Sequence, residues 1–328
     1  MFLKTQHPHP RDDRITFKEE GHEYTIEGFE GKPLSVTTLI HKRFPSFDAD
    51  VVIGKMMRSP KWSSSPYFGM TEDEIKSKWD RERDDASSRG TLMHRAIELY
   101  FNGELPEADR PDTDEFRHFL KFHADLPKLL GEVQPYRTEW MVFAEDARLA
   151  GSIDMTLTNP QGEIIILDWK RSKEIKMSNS FERGYGAWRH LDSCNFIHYS
   201  LQLNIYKYML ENYYGKRVVD MNLVVLHPKQ PSYQFIKVKD MQREVGKLFE
   251  ELRAAVSRSS DSATPHADGT QVDGHQTISH EISHSRASSP LWQTPRQTIP
   301  PHLLKRASTT PTMSTTPTIG SDGLVVIR

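Results

Sequence analysis

Apolar residues along the first 260 positions recur in two different periods, and the alternation between them predicts a mixed α/β domain. Ile15–Phe17 and Tyr24–Ile26 read as a short hairpin turned at Glu20-Gly21. Ser35 caps a helix over SVTTLIHKRF, which Pro45 stops. From Phe47 to Asp85 the chain is polar and charged with scattered aromatics, a pattern of short helices and loops. A helix with a clear apolar stripe is expected from Ser88 to about Asn102, ended by Gly103, and a second over Thr113–Leu130. Three strand-like runs follow: Arg137–Phe143, Ala150–Thr156 and Glu163–Trp169. A long helix at Tyr199–Tyr213, strands at Met221–Leu226 and Tyr233–Val238, and a helix at Met241–Val256 complete the set.

Composition changes the picture at the C-terminus. From about Ala263 to Ile319 the chain is dominated by Ser, Thr, Pro, His and Gln, with isolated apolar residues in no period. Such a stretch buries too little apolar surface to offset an ordering cost of roughly 1–2 kcal/mol per residue. The expected organisation is therefore a domain over 1–255, with its N-terminal hairpin and helical region at 12–88, and a disordered tail over 256–328. A hydrophobic content of 36% and a mean hydropathy of −0.64 agree with that division. The net charge of −2 supplies no bulk attraction to nucleic acid, so any phosphate-binding surface must be local.

A single cysteine, Cys194, excludes an internal disulfide framework, a thiolate zinc site and a four-cysteine iron–sulfur cluster within this chain. No apolar run reaches eighteen residues, and MFLKTQHPHPRDD lacks the apolar core of a secretory signal. The expectation is an intracellular protein with no membrane partner; nucleus, mitochondrion and viral or host cytoplasm are not distinguished.

The segment that carries chemistry is GSIDMTLTNPQGEIIILDWK, residues 151–170. Asn159-Pro160-Gln161-Gly162 is a turn cluster between two β-prone runs, so the segment reads as a hairpin. Folded about Gln161, it sets Asp154 opposite Asp168. Strand alternation then puts Asp168 and Lys170 on one face. Two carboxylates and an ammonium meeting at one end of a sheet suit a hard cation such as Mg²⁺ or Mn²⁺ beside a phosphate, with Lys170 orienting water or stabilising developing charge. A surface hairpin with ordinary charges explains a D-x-K triplet equally well. It explains EIIIL less well, because a run apolar on both faces marks a buried central strand, which seldom ends in charges without partners.

GTLMH (90–94), GSID (151–154), DWK (168–170) and QLNIY (202–206) stand in the order and rough spacing of G-x-x-x-H, G-x-x-D, (D/E)-x-K and Q-x-x-x-Y. Over roughly residues 12–250 the chain thereby resembles the RecB-like branch of the PD-(D/E)xK nucleases. SVTTLI, IELYFNGE and LDWK make it similar to the mitochondrial genome-maintenance exonuclease group. Ile153 precedes the first acid where many relatives have proline, and Asp168 stands where Glu is frequent.

The resemblance implies a restriction-endonuclease-like α/β core, with a mixed central sheet flanked by helices. It also implies metal-dependent hydrolysis of DNA, exonucleolytic on single strands or flaps, in replication, repair or recombination. His94, Asp154 and Asp168 would ligate the metal with the backbone carbonyl of Trp169, and Lys170 would be the catalytic lysine. Gln202 and Tyr206 would organise the site or contact DNA. Without a phosphate-cradling G-x-x-x-x-G-K-[ST] loop, any unwinding would fall to a separate helicase or recombination partner.

Other features divide between function and ordinary structure. Glu98, one turn beyond His94, and Glu139, on the strand before the hairpin, are each as readily structural as metal-linked. Arg171, Lys173, Lys176, Arg183 and Arg189, with Phe181, Tyr185 and Trp188 among them, make either a strand-tracking groove or a solvated loop. HEISH (280–284) matches a zinc-protease pattern but sits in a stretch with no helical stripe, where chance is the better account. Two other readings of the whole chain stand beside the nuclease: an inactive nucleic-acid-binding module of the same fold, and a scaffolding protein.

Overall fold

The computed structural model describes residues 2–261 and two short strands near the C-terminus, Thr318–Ile319 and Val325–Val326. Most of the expected tail, HEISH included, lies outside the described residues. The chain opens with helix α1 (Phe2–Gln6) and a hairpin of β1 (Ile15–Lys18) and β2 (Glu23–Ile26). Phe17 pairs with Tyr24 and Ile15 with Ile26 across this hairpin, so its apolar face turns inward. Gly21 and His22 make the turn with φ of 82° and 52°. A two-residue strand, β3 (Leu34–Ser35), leads into α2 (Val36–Lys42), where Ser35 Oγ accepts from Thr38 N at 3.1 Å as the cap.

The region up to Asp85, expected as short helices and loops, holds one short α-helix and the start of a long one. After α3 (Ala49–Met57), a single 30-residue helix, α4, runs from Glu72 to Phe101. Its start is a capping box, with Thr71 and Glu74 bonding reciprocally. Most of the first half of α4 lies on the surface and carries charge, so it shows no apolar stripe. Pairs such as Arg83–Asp80 and Arg89–Asp85 lace that half, where Ile75 alone is buried, and the second half, from Gly90, packs into the core.

Helix α5 (Asp114–Leu130) precedes the strands β4 (Gln134–Ala144), β5 (Leu149–Thr158) and β6 (Ile164–Lys170). Helix α6 (Asn195–Tyr213), strands β7 (Val218–Val225) and β8 (Gln234–Lys237), and α7 (Gln242–Asp261) follow. The central sheet has six strands in the order β3-β5-β6-β7-β8, with β4 also paired to β5. It is mixed: β4–β5, β5–β6 and β7–β8 are antiparallel, while β3–β5 and β6–β7 are parallel. Helices cover both faces, giving the mixed α/β architecture expected from the sequence and consistent with a restriction-endonuclease-like fold. The β1–β2 hairpin, α2, α6 and α7 pack on one face, and α1, α4 and α5 on the other. No described helix is long and apolar enough to cross a membrane.

Two details of the sheet position the site. The β5–β6 ladder follows the register set by a turn at Gln161, pairing Met155 with Leu167, and stops there. β3 joins β5 only at Leu149 and Ala150. Gly151–Asp154 therefore lies in a gap between two ladders, at the end of the central strand β6. On the opposite side of β5, β4 kinks: Glu139 takes φ 45°, and it sits between the pairs Thr138–Met155 and Trp140–Ile153, level with Asp154.

Candidate active site

Asp154 fills the gap left by the diverging strands. Its Oδ2 accepts from the Trp169 backbone N–H at 3.0 Å, replacing the ladder bond that β5 no longer supplies. The same oxygen lies 3.5 Å from His94 Nδ1. His94 comes from the other face of the sheet on α4, and its Nε2 is 3.0 Å from the Trp169 carbonyl. Burial holds the His94 imidazole below its ordinary pKa despite the raising influence of Glu139, so at neutral pH it is an uncharged nitrogen donor. Glu139 completes a cluster: one ligand atom each from His94, Glu139 and Asp154 lie within 4.8 Å of one another. Ser152 Oγ donates to Glu139 Oε2 at 3.0 Å and holds that carboxylate in place.

Asp168 and Lys170 share a face of β6, as the alternation predicts, and the intervening Trp169 turns the other way against Phe101, Phe119 and Phe122. Asp168 is 1% exposed, set deeper than the His94–Glu139–Asp154 cluster and not a member of it. Lys170 Nζ lies 2.6 Å from Asp168 Oδ2, and among the described residues neither carboxylate oxygen has another polar partner. We therefore regard the contact as a charge pairing. Burial pushes the Asp168 carboxyl up to about 6, with Lys170 opposing and Asp154 reinforcing the shift.

Lys170 is held from the far side by α6. Gln202 Oε1 accepts from Nζ at 3.4 Å, and the Tyr199 ring lies 4.6 Å below the ammonium. Gln202 Nε2 in turn donates to Tyr206 OH at 3.4 Å. Burial, aided by Tyr24, raises the Tyr206 pKa well above its usual range, so the phenol stays neutral. Gly151 makes this packing possible: a Cβ there would stand 2.7 Å from Tyr206 Cε1 and 3.1 Å from Val36 Cγ2. The glycine of GSID is a steric requirement of the tyrosine of QLNIY.

These groups border one cavity of about 750 Å³, lined by α4, β4, β5, the β1–β2 hairpin, α2, α6 and the segment after Lys170. His94, Asp154, Trp169, Lys170, Gln202 and Tyr206 all face it, as does Glu139; Asp168 lies behind Lys170. Glu98 also faces the cavity, where Arg95 Nη1 donates to its Oε2 at 2.8 Å.

The basic cluster after Lys170 divides. Lys173 and Lys176 line the cavity, and Phe181 and Tyr185 are exposed. Arg171 instead forms a buried pair with Glu115 at 2.7 Å, Arg183 pairs with Asp192, and Trp188 is core. Sequence reasoning weighed Glu139 without choosing it. The available signal was the pairing register of β4 with β5, which the strand spacing alone does not define.

The donor set fits a hard divalent cation. It offers carboxylate oxygens, one neutral imidazole, a backbone carbonyl and, behind them, two buried carboxylate oxygens without hydrogen bonds. A sequence model described as the PD-(D/E)XK nuclease superfamily matches residues 67–276, more than half of the chain.

This chain belongs to the PD-(D/E)XK nuclease superfamily. Members of that superfamily use divalent metals, which the donor set here suits. The nuclease matches no curated protein. Among solved structures, one described as the crystal structure of SSO0001 is similar at 15% identity, with a TM-score of 0.23. The match covers 43% of this chain and 58% of that one, so the nuclease spans less than two thirds of that protein's length.

Proposed function

We propose that this nuclease hydrolyses phosphodiester bonds in DNA with Mg²⁺ or Mn²⁺, acting as an exonuclease on single strands or flaps in replication, repair or recombination. The observation that carries the reading is the meeting of His94, Glu139 and Asp154 in one cavity with the Asp168–Lys170 pair. An imidazole held neutral and two carboxylates from three separate elements, meeting beside a buried carboxylate with a raised pKa in a cleft, make the kind of constellation found at functional sites. The order of the four motifs supports placement in the RecB-like branch, near the mitochondrial genome-maintenance exonucleases.

In this reading His94, Glu139 and Asp154 hold the cation, together with Asp168 and the Trp169 carbonyl. When bound, the cation neutralises charge on the scissile phosphate and lowers the pKa of the attacking water. The remaining work belongs to the chain. Lys170, fixed between Asp168 and Gln202, offers its ammonium to the phosphate oxygen on which charge develops. Gln202 and Tyr206 are positioning residues for that lysine.

The test uses labelled linear single-stranded, duplex, flapped and circular DNA with Mg²⁺ or Mn²⁺. Linear single strands and flaps should be degraded and closed circles spared. Lys170→Ala and Asp168→Ala should each lose at least 10²-fold in rate, on the order of removing one transition-state charge donor. Cleavage of circles would replace the exonuclease with an endonuclease, and undiminished cleavage by both variants would remove the site altogether. Binding without cleavage by the wild type would favour an inactive module.

A further inference from the structure

We propose that the β1–β2 hairpin is a nucleobase platform, on which Phe17 stacks an unpaired base of the strand being cut while His22 stands edge-on beside it. The inference rests on the nuclease reading above and extends it to how the substrate is held. The cavity has two chemically distinct walls. One is ionic, made by the sheet end with Lys170, Lys173 and Lys176, and the other is aromatic, made by the hairpin. A nucleotide has the same two halves. At about 750 Å³ the space suits roughly one or two nucleotides.

The aromatic wall is built. Along the inward face of the hairpin, Ile15, Tyr24 and Ile26 are buried in the core, while Phe17 continues that face at the cavity and stays half-buried. Phe17 lies 4.8 Å from Tyr24 and 4.7 Å from His22, the latter edge-on at 85°. His22 reaches this place only through a left-handed backbone, φ 52°, directly after Gly21 at 82°. Left-handed backbone is usual in hairpin turns, and here it sets the imidazole against the Phe17 ring. Tyr24 also neighbours Tyr206, so the hairpin abuts the chain of groups that positions Lys170. Stacked bases in a duplex hide their faces, whereas an unpaired strand presents them, so the platform selects single strands without reading sequence.

The experiment scans a single abasic site through a linear single-stranded oligonucleotide and measures kcat/KM with the full-length protein. In the wild type, an abasic nucleotide at one or two positions beside the cut should lower kcat/KM by roughly 5- to 150-fold, the value of one stacked base, mainly through KM. Phe17→Ala should cut intact DNA as poorly as the wild type cuts the abasic strand, with no further loss on combining the two. Phe17→Tyr should retain discrimination. A 2-aminopurine at the sensitive position should be quenched on binding to Lys170→Ala protein, and that quenching should vanish when Phe17→Ala is added. His22→Ala, at a half-buried turn position against the Phe17 ring, carries the same test should Phe17→Ala not fold. Wild-type discrimination in folded Phe17→Ala and His22→Ala, or a wild type that cleaves DNA but ignores abasic sites, overturns the platform alone. A wild type that cleaves no DNA overturns the nuclease reading first.

Discussion

A carboxylate withdrawn from water without a full set of donors is penalised in its ionised form, and Asp168 carries that penalty at 1% exposure. Its folded-state pKa of about 6 lies above the model-peptide value of 3.8. The folded state therefore binds the proton more tightly than the unfolded chain. The associated stability is fully present below about pH 3.8 and is lost as pH rises through about 6. In a metal chelator, Asp168→Asn should unfold at a higher temperature than the wild type at pH 7–8, by about 1–3 kcal/mol, with the gap closing near pH 4. Scanning fluorimetry across pH checks this, and a gap of constant size at all pH values would contradict it. The same variant should lose activity, the usual exchange of stability for function at a site. Gly151 is the second test at this scale. Gly151→Ala must displace Tyr206, and through Gln202 the Lys170 ammonium, so a loss on the order of 10²-fold in kcat is expected with little change in metal affinity.

Between elements, the N-terminal segment is tied to the sheet by a buried pair. Arg137 on β4 donates to Asp12 at 2.7 Å and to the His7 carbonyl at 2.9 Å, and Trp140 Nε1 donates to the same carboxylate. Burial would raise the Asp12 pKa, but the hydrogen bonds and charge of Arg137 outweigh it and the net shift is downward. Stability from this pair is present above the unfolded value of 3.8 and fades as pH falls below it. Asp12→Ala strands the Arg137 charge and should cost about 3–5 kcal/mol in urea unfolding at pH 7. What the sequence disclosed follows the same logic of local against distant information. The β5–β6 hairpin was legible because its turn cluster and the doubly apolar EIIIL both lie within twenty residues, and they specify the register that brings Asp154 to Asp168. The first half of α4 was hidden because a solvated, charge-laced helix has no apolar stripe. Glu139 could be named but not chosen, because its place depends on β4 pairing and on a left-handed kink, neither written in strand periodicity. The depth of Asp168 depends on α6 closing over β6, a packing event between segments that no spacing reports.

For the whole molecule, a net charge of −2 leaves no long-range field to gather a polyanion, so capture must come from cations arranged at the cavity. Arg171 also lines the cavity but is paired with Glu115, and Arg183 is paired with Asp192, so at the end of β6 the lysines that face the cavity are Lys170, Lys173 and Lys176. If each of the three neutralises one phosphate of a single strand, log KM should rise with log salt at a slope of about 2, from roughly 0.7 per contact. Lys173→Ala and Lys176→Ala, both at exposed positions with little to lose in folding, should each weaken binding and flatten that slope by about 0.7. Measuring KM between 50 and 200 mM NaCl distinguishes this local arrangement from a diffuse one. In a diffuse arrangement the slope would exceed 2 in the wild type and would barely respond to either substitution. The steep dependence of a broadly basic surface is thus not expected here, because a nearly neutral chain with lysines beside the His94–Glu139–Asp154 cluster should bind a polyanion there and little elsewhere.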